Sequence, residues 1–373
     1  MGVMMNFNGE LKVIGMRGCE EFTAQVDNYL KQIRGSENSF VVSAQCPRFG
    51  SGEAKALINE SMRGLDLYII SDCFNYGVTY KMYGMQVPMS PDDHFQDLKR
   101  VIAATGGKTR RISVIMPMLY EGRQHKRSAR ESLDCALALQ ELTSMGVTNI
   151  ITFDAHDPRV QNAIPLNGFD SVRPTYQMLK ALVRNVPDVK LDKDNLMVVS
   201  PDEGAIGRSM YIASVLGIEL GMFYKRRNYS IIVDGKNPIE AHEYLGRDLS
   251  GKDVIVVDDM ISSGDSMIDV ALQLKERGAK RVFVFATFAL FCNGLEKFDK
   301  AYEEGIFDKI FATNLTYHTK EILSREWYCD VNMSKYVSYI IDTINKDASI
   351  SELLNPVQKI RALHDKHVES QSE

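Results

Sequence analysis

Short runs of apolar, β-branched residues recur along the chain and predict the strands of a parallel sheet. We expect strands at 65–71, 111–118, 149–154, 195–200, 218–224, 254–259 and 280–287. Between them lie segments with apolar residues at helical spacing, such as 128–146 and 265–279. Near-continuous apolar strands that alternate with helices are typical of α/β proteins, whose parallel sheets are covered by helices on both faces.

The chain has 373 residues, which is enough for two domains that each bury a hydrophobic core. A stretch rich in turn formers, PLNGFDSVRP at 165–174, marks the expected boundary. We predict one domain over 1–170, a second over 171–332, and a helical tail over 333–373. The two halves share an order of apolar strand, aspartate-containing strand end and returning helix, although no close sequence repeat is visible.

Composition and charge exclude several classes of protein. The net charge is −5 and the isoelectric point about 5.9, so a general affinity for nucleic acid is not expected and any anion site must be built locally. The six scattered cysteines form no C-x-x-C pair, which argues against a disulfide framework or a zinc cluster. The longest apolar run, 282–291, reaches about half of a membrane span. The first ten residues lack a signal-peptide pattern. We expect a cytoplasmic protein without nucleic acid or membrane partners.

The segment VIVVDDMISSGDS at 254–266 suggests the chemistry of a site. In open parallel sheets, ligands bind beyond the carboxyl ends of the strands. Small residues ahead of a helix let backbone N–H groups approach an anion, and the helix N-terminus favours negative charge. Adjacent carboxylates instead accept hydrogen bonds from sugar hydroxyls. The pattern therefore favours a sugar phosphate such as ribose 5-phosphate, while an ordinary strand-end turn with a helix cap is the structural alternative.

Four further segments appear with this loop: INESMRG (58–64), TFDAH (152–156), VVSPDEGAIGR (198–208) and FYKRR (223–227). In this order they resemble the ribose-phosphate pyrophosphokinase family, over residues 40 to 315 approximately. The resemblance implies an α/β fold of two phosphoribosyltransferase-like domains, each a mostly parallel sheet flanked by helices. It also implies transfer of the β,γ-diphosphoryl group of ATP to the 1-hydroxyl of ribose 5-phosphate, giving phosphoribosyl diphosphate and AMP.

The resemblance assigns roles residue by residue. Lys225 and Arg227 take the catalytic roles that the family places on a mobile loop. The ribose 5-phosphate residues are Asp202, Asp258, Asp259, Ser262, Ser263, Gly264, Asp265 and Ser266. The ATP residues are Phe49, Glu53, Arg123, Gln124 and His156, and the magnesium ligands are Asp154, His156, Asp170 and Asp202. In the family, the loop that carries Phe49 stacks on adenine in a neighbouring subunit, which implies a homo-oligomer built from dimers, with a hexamer as one form.

The chain departs from the family pattern at several positions. Ser51 and His125 stand where the family has acids, and Asp265 adds a negative charge to the expected phosphate loop. As a first-turn helix acid, Asp265 can point away from that loop. Residues 75–91 and the tail beyond 316 have no counterpart. Two other functions stay open at this stage: a phosphoribosyltransferase that uses phosphoribosyl diphosphate, and a non-catalytic partner that binds ATP and regulates an active synthetase.

Overall fold

The computed structural model describes residues 9–227 and 239–372, which form two compact units. The first unit comprises the described residues up to Arg173, together with Leu315–Tyr317 and Asn332–Asn355. The second comprises Pro174–Asn314, His318–Val331 and the residues from Pro356 onward. Residues of the expected tail thus belong to both units. The domain limits of the sequence analysis stay a prediction, because compact packing does not test independent folding.

The secondary structure alternates between strands and helices. The strands are β1 (Leu11–Gly15), β2 (Ala44–Gln45), β3 (Leu57–Ile58), β4 (Asp66–Ile70), β5 (Thr79–Met82), β6 (Met85–Pro88), β7 (Arg111–Ile115), β8 (Asn149–Phe153), β9 (Gly168–Val172), β10 (Leu196–Ser200), β11 (Glu219–Arg227), β12 (Ile239–Leu245), β13 (Asp253–Ile261), β14 (Arg281–Ala289), β15 (Lys309–Thr313) and β16 (Tyr328–Val331). The helices are α1 (Glu20–Arg34), α2 (Pro91–Ala104), α3 (Asp134–Ser144), α4 (Thr175–Asn185), α5 (Ile206–Leu216), α6 (Asp265–Glu276), α7 (Glu296–Glu303), α8 (Lys320–Leu323), α9 (Ser334–Asn345), α10 (Ser351–Leu354) and α11 (Val357–Ser372), with a 3-10 helix at Pro158–Ala163.

The first unit is built around a five-stranded parallel sheet in the order β1–β4–β7–β8–β9. Its central strands are buried on both faces, as their continuous apolar sequences predict. The turn-rich stretch 165–174 contains a strand, β9, that the sequence analysis did not predict. Its hydrogen bonds come from pairing with β8, and its own local pattern is weak.

The second unit holds a seven-stranded sheet in the order β12–β11–β10–β13–β14–β15–β16. All neighbours are parallel except the edge pair β11 and β12, which is antiparallel. Strand β13 runs through Ile261 and so extends past the predicted end at residue 259. The two adjacent acids, Asp258 and Asp259, therefore lie within the last part of the strand.

An equivalent ion pair between an aspartate and an arginine occurs in each unit. In the first unit, Asp66 and Arg111 begin β4 and β7 and are register partners, and the guanidinium donates to the two carboxylate oxygens at 2.8 and 2.6 Å. In the second unit, Asp253 and Arg281 begin β13 and β14, with distances of 2.9 and 2.6 Å. The two halves thus share a structural feature as well as an order of elements.

Candidate nucleotide and sugar-phosphate sites

The predicted phosphate loop joins β13 to the N-terminus of α6. Gly264 has a φ of +88°, and a Cβ built there would lie 2.0 Å from the ring of Phe298, so only glycine fits. The carbonyl oxygen of Ser262 accepts a hydrogen bond from the Cys292 N–H at 2.9 Å. The carbonyl oxygen of Gly264, two residues further on, accepts a hydrogen bond from the Ile268 N–H at 3.0 Å. These contacts hold a short loop of small residues at a helix N-terminus, which is the geometry that binds anions.

The negative charge of Asp265 is matched by a lysine. The side chain is 70% exposed, and Lys297 Nζ lies 2.5 Å from Asp265 Oδ1. The Ser263 hydroxyl also donates to Asp265 Oδ2, at 2.7 Å. Lys297 first, and then Ser263, hold the pKa of this carboxyl below its ordinary value. The ion pair offsets the repulsion that a bare carboxylate would exert on a phosphate.

An arginine that the sequence analysis did not identify lies beside the paired acids. Arg208 Nη1, on helix α5, is 3.5 Å from Asp258 Oδ1 and 3.8 Å from Asp259 Oδ1. Burial, and then the neighbouring Asp259, raise the pKa of the Asp258 carboxyl well above its ordinary value, while Arg208 opposes that shift. Arg208 is the last residue of the segment 198–208, so the sequence contained it, but its contact with Asp258 and Asp259 could not be read from the sequence.

Asp202 shapes the turn that leads into α5. Its Oδ1 accepts hydrogen bonds from the N–H groups of Gly204 at 3.0 Å and Ala205 at 3.2 Å. The Ser200 hydroxyl donates to the carbonyl oxygen of Asp202 at 2.7 Å. These bonds resemble those of a helix cap, which the sequence allows alongside a role in ligand binding.

The candidate catalytic residues lie on strand β11. The strand predicted over 218–224, just before Lys225, is longer than expected, because β11 continues to Arg227. It is extended by antiparallel pairing with β12, where Lys225 is opposite His242 and Arg227 is opposite Ile239. The side chains of Lys225 and Arg227 lie outside the described part of the structure.

The candidate adenine loop, 47–53, is the tip of a small hairpin formed by β2 and β3. The Phe49 N–H donates to the carbonyl oxygen of Glu53 at 2.7 Å, and the Gly52 N–H donates to that of Phe49 at 2.9 Å. The Ser51 hydroxyl donates to the Glu53 carboxylate at 2.9 Å. The Phe49 ring is 57% exposed, so its face is open to an aromatic partner such as a purine.

The predicted triphosphate residues Arg123, Gln124 and His156 lie in the first unit, where His125 connects the two segments that carry them. His125 Nε2 lies 3.5 Å from Asp157 Oδ2, and the His125 ring lies 5.3 Å from that of His156. Next to it, Arg123 is exposed, and the Gln124 amide donates to the carbonyl oxygen of Ser132 at 2.9 Å. The helix expected over 128–146 is shorter than predicted, since α3 spans only Asp134–Ser144. His125, which the sequence analysis treated only as a departure, thus joins segments 121–125 and 154–157.

The acids proposed for magnesium include neighbours on the edge of the first sheet. Asp154 follows β8 with a φ of +39°, and its N–H donates to the carbonyl oxygen of Val172 at 2.8 Å. Asp170 lies on the adjacent strand β9, and burial raises the pKa of its carboxyl. Their oxygens suit magnesium, which keeps several waters and needs few protein ligands. Within residues 9–227 and 239–372, no group of three or more His, Cys, Asp or Glu side chains is placed to hold a metal ion.

Two family models match this chain. The model of the N-terminal domain of ribose phosphate pyrophosphokinase matches residues 11–146, and that of the phosphoribosyl transferase domain matches residues 175–314. The chain belongs to the ribose-phosphate pyrophosphokinase family. Both halves of this pyrophosphokinase are matched, and the ranges contain the candidate loops at 47–53 and 262–266.

Similar proteins support the assignment. The chain is 30% identical over 319 residues to the ribose-phosphate pyrophosphokinase of Vibrio cholerae, which covers 84% of this pyrophosphokinase and 91% of the relative. It is 31% identical over 313 residues to the protein of that name from Pasteurella multocida, with 82% and 89% covered. A solved structure, the phosphoribosylpyrophosphate synthetase of Mycobacterium smegmatis, matches with a TM-score of 0.73 at 21% identity, covering 91% of this chain and all of that one, and shows the same fold.

These findings confirm the predicted family, fold class and enzyme class. The individual site residues stay predictions. Across the described ranges, every helix falls short of the length and apolarity that a membrane crossing requires.

Proposed function

We propose that this pyrophosphokinase transfers the β,γ-diphosphoryl group of ATP to the 1-hydroxyl of ribose 5-phosphate. The 1-hydroxyl gives up its proton to water as its oxygen attacks the β-phosphorus. The bond between that phosphorus and the α,β-bridging oxygen breaks, and AMP leaves with the electron pair. The products are 5-phosphoribosyl 1-diphosphate and AMP. The observation that carries the proposal is the loop 262–266, where an anion-binding helix N-terminus follows paired carboxylates in a chain of this family.

Ribose 5-phosphate is assigned to the second unit. Backbone N–H groups and hydroxyls of Ser262, Ser263, Gly264, Asp265 and Ser266 surround the 5-phosphate, and the N-terminus of α6 adds partial positive charge. Asp258 and Asp259 accept hydrogen bonds from the ribose hydroxyls, and Asp202 is assigned to the same ribose 5-phosphate site. An ionised carboxylate accepts stronger hydrogen bonds than a neutral carboxyl group, which gives Arg208 a role in keeping the pair charged.

ATP is assigned to residues of the first unit. Phe49 stacks on adenine with Glu53 beside it, and Arg123, Gln124 and His156 contact the phosphates. In the first unit, Asp154, His156 and Asp170 would hold magnesium on the ATP phosphates, and in the second unit Asp202 would hold magnesium near the ribose. When bound, magnesium neutralises charge on the diphosphoryl oxygens. Lys225 and Arg227 supply the cations that the developing charge requires.

The protein is a homo-oligomer in this proposal, with a dimer as its basic unit. The exposed face of Phe49 supports it, since that face fits the family arrangement in which the loop reaches adenine of a neighbouring subunit. A monomer with full activity would contradict it.

The deciding experiment separates AMP from ADP after incubation with ATP, ribose 5-phosphate and magnesium. We expect AMP that depends on the sugar phosphate and is lost in Lys225→Ala. The matched control is Lys300→Ala, which removes an exposed lysine paired with Glu304 and is expected to retain activity. ADP in place of AMP would indicate an ordinary kinase and contradict the proposal. Bound ATP without turnover would indicate the non-catalytic partner.

A further inference from the structure

Residues 75–91, which have no counterpart in the family pattern, contain a β-hairpin formed by β5 and β6. Tyr83 and Gly84 make its two-residue turn, with φ values of +48° and +79°, as a type I′ turn requires. At the base, the Met89 N–H donates to the carbonyl oxygen of Val78 at 2.8 Å, so the two ends of the hairpin lie side by side. A tyrosine is an uncommon choice for a left-handed position, and its side chain is 77% exposed.

The tip of this hairpin contacts the candidate adenine loop. The Tyr83 N–H donates to the carbonyl oxygen of Gly50 at 2.9 Å, one residue after Phe49. On the other side of the loop, a Cβ at Gly52 would lie 2.8 Å from Met82 Sδ, so the glycine allows the two segments to pack closely. The hairpin thus touches the loop at two positions on either side of Ser51.

The side of the hairpin holds the arginine at the start of the loop. The Arg48 guanidinium lies over the Tyr80 ring, 4.7 Å from its centre, and its side chain is only 6% exposed. Arg48 Nη2 also donates to Asp97 Oδ2 at 2.9 Å, and Asp97 belongs to α2. Arg48 therefore lies between the hairpin and a helix of the core, and both fix the backbone on which Phe49 is carried.

We propose that the hairpin β5–β6 is a positioning element for the adenine loop and thereby sets the affinity for the nucleotide. The inference rests on the proposed assignment of 47–53 to adenine. An exposed ring such as Phe49 has few core contacts of its own, so the direction of its face depends on the backbone that carries it. A stacking surface held in the bound geometry loses less conformational entropy when the base arrives. Tyr80 and the Tyr83 N–H provide that restraint.

The test compares Tyr80→Ala, Tyr80→Phe and a variant in which residues 79–88 are replaced by Gly-Gly. Excision is feasible because Val78 and Met89 are already hydrogen-bonded. Calorimetry with the magnesium complex of the non-hydrolysable analogue α,β-methylene-ATP gives the nucleotide affinity without turnover, so the result does not depend on whether AMP forms. Deuterium exchange over 47–53 reports the order of the loop.

We expect Tyr80→Ala to weaken analogue binding about fivefold, in the range of a partly buried cation–π contact. Excision is expected to weaken it further, with faster exchange in 47–53, while Tyr80→Phe retains the ring and binds as the parent does. In steady state, KM for ATP rises and KM for ribose 5-phosphate is unchanged. Unchanged analogue affinity in Tyr80→Ala and the excision variant would overturn the inference. An equal loss of analogue affinity in Tyr80→Phe and Tyr80→Ala would also overturn it, as would a parent protein that binds no analogue.

Discussion

Replacing Arg208 with glutamine removes the positive charge beside the paired acids and keeps a side chain of similar length. At 3.5 Å, a guanidinium and a carboxylate attract each other by about 5 kcal/mol at an effective dielectric constant of about 20. If about a third of that attraction is expressed in sugar binding, KM for ribose 5-phosphate rises about tenfold, since about 1.4 kcal/mol corresponds to a factor of ten. KM for ATP should stay within about twofold of the parent.

Loss of Arg208 should also shift the pH dependence of sugar binding in a defined direction. Ribose hydroxyls donate to ionised carboxylates, so sugar binding improves as pH rises through the pKa of Asp258. That pKa is already raised by burial and by Asp259, and Arg208 lowers it. In Arg208→Gln the acid side of the profile of kcat/KM for ribose 5-phosphate therefore moves to higher pH. For stability the sign is opposite: a raised folded-state pKa favours folding at low pH, and this contribution is lost as pH rises through it.

The assay is steady-state kinetics over a range of pH and ribose 5-phosphate concentration, with thermal unfolding of each variant. The matched control is Arg247→Gln, which removes a largely exposed arginine paired with Glu219. We expect the control to match the parent, because exposed pairs contribute little. An Arg208→Gln enzyme with unchanged KM for the sugar and an unchanged pH profile would refute the reasoning.

Three further outcomes are expected. Lys297→Met removes the lysine partner of the Asp265 carboxylate and raises KM for ribose 5-phosphate about twofold to fivefold. Adding Asp265→Ser to this variant is expected to restore the parent KM. If the double variant does not recover, a charge effect is excluded. Asp66→Ala removes a fully buried carboxylate that pairs with the partly exposed Arg111, and lowers the free energy of unfolding by about 3–5 kcal/mol, measured in urea. A loss below about 1 kcal/mol would show that the pair matters little. Cys292 is exposed with Sγ 3.6 Å from Ser262 Oγ, so ribose 5-phosphate should slow its alkylation by iodoacetamide, followed by peptide mass spectrometry; an unchanged rate would place the sugar phosphate elsewhere.

The elements that the sequence predicted well are those whose signal is local. Strand β13 and helix α6 follow from a run of valine and isoleucine and from apolar residues at helical spacing, and both lie where expected within a few residues. Five of the described strands of the two large sheets were missed: β1, β9, β12, β15 and β16. Of these, β9 and β12 are formed by pairing with a neighbouring strand and lack a strong pattern of their own. The extension of β11 through Lys225 has the same cause.

The sequence by itself determined the family, the fold class and the identity of the candidate loops, because these depend on short segments whose residue types are legible along the chain. Only the tertiary structure decided which charges those loops meet. Lys297 is far along the chain from Asp265, as Tyr80 is from Arg48. Such contacts arise when strands and helices are assembled, and side-chain reach across the fold has no local pattern from which it can be read.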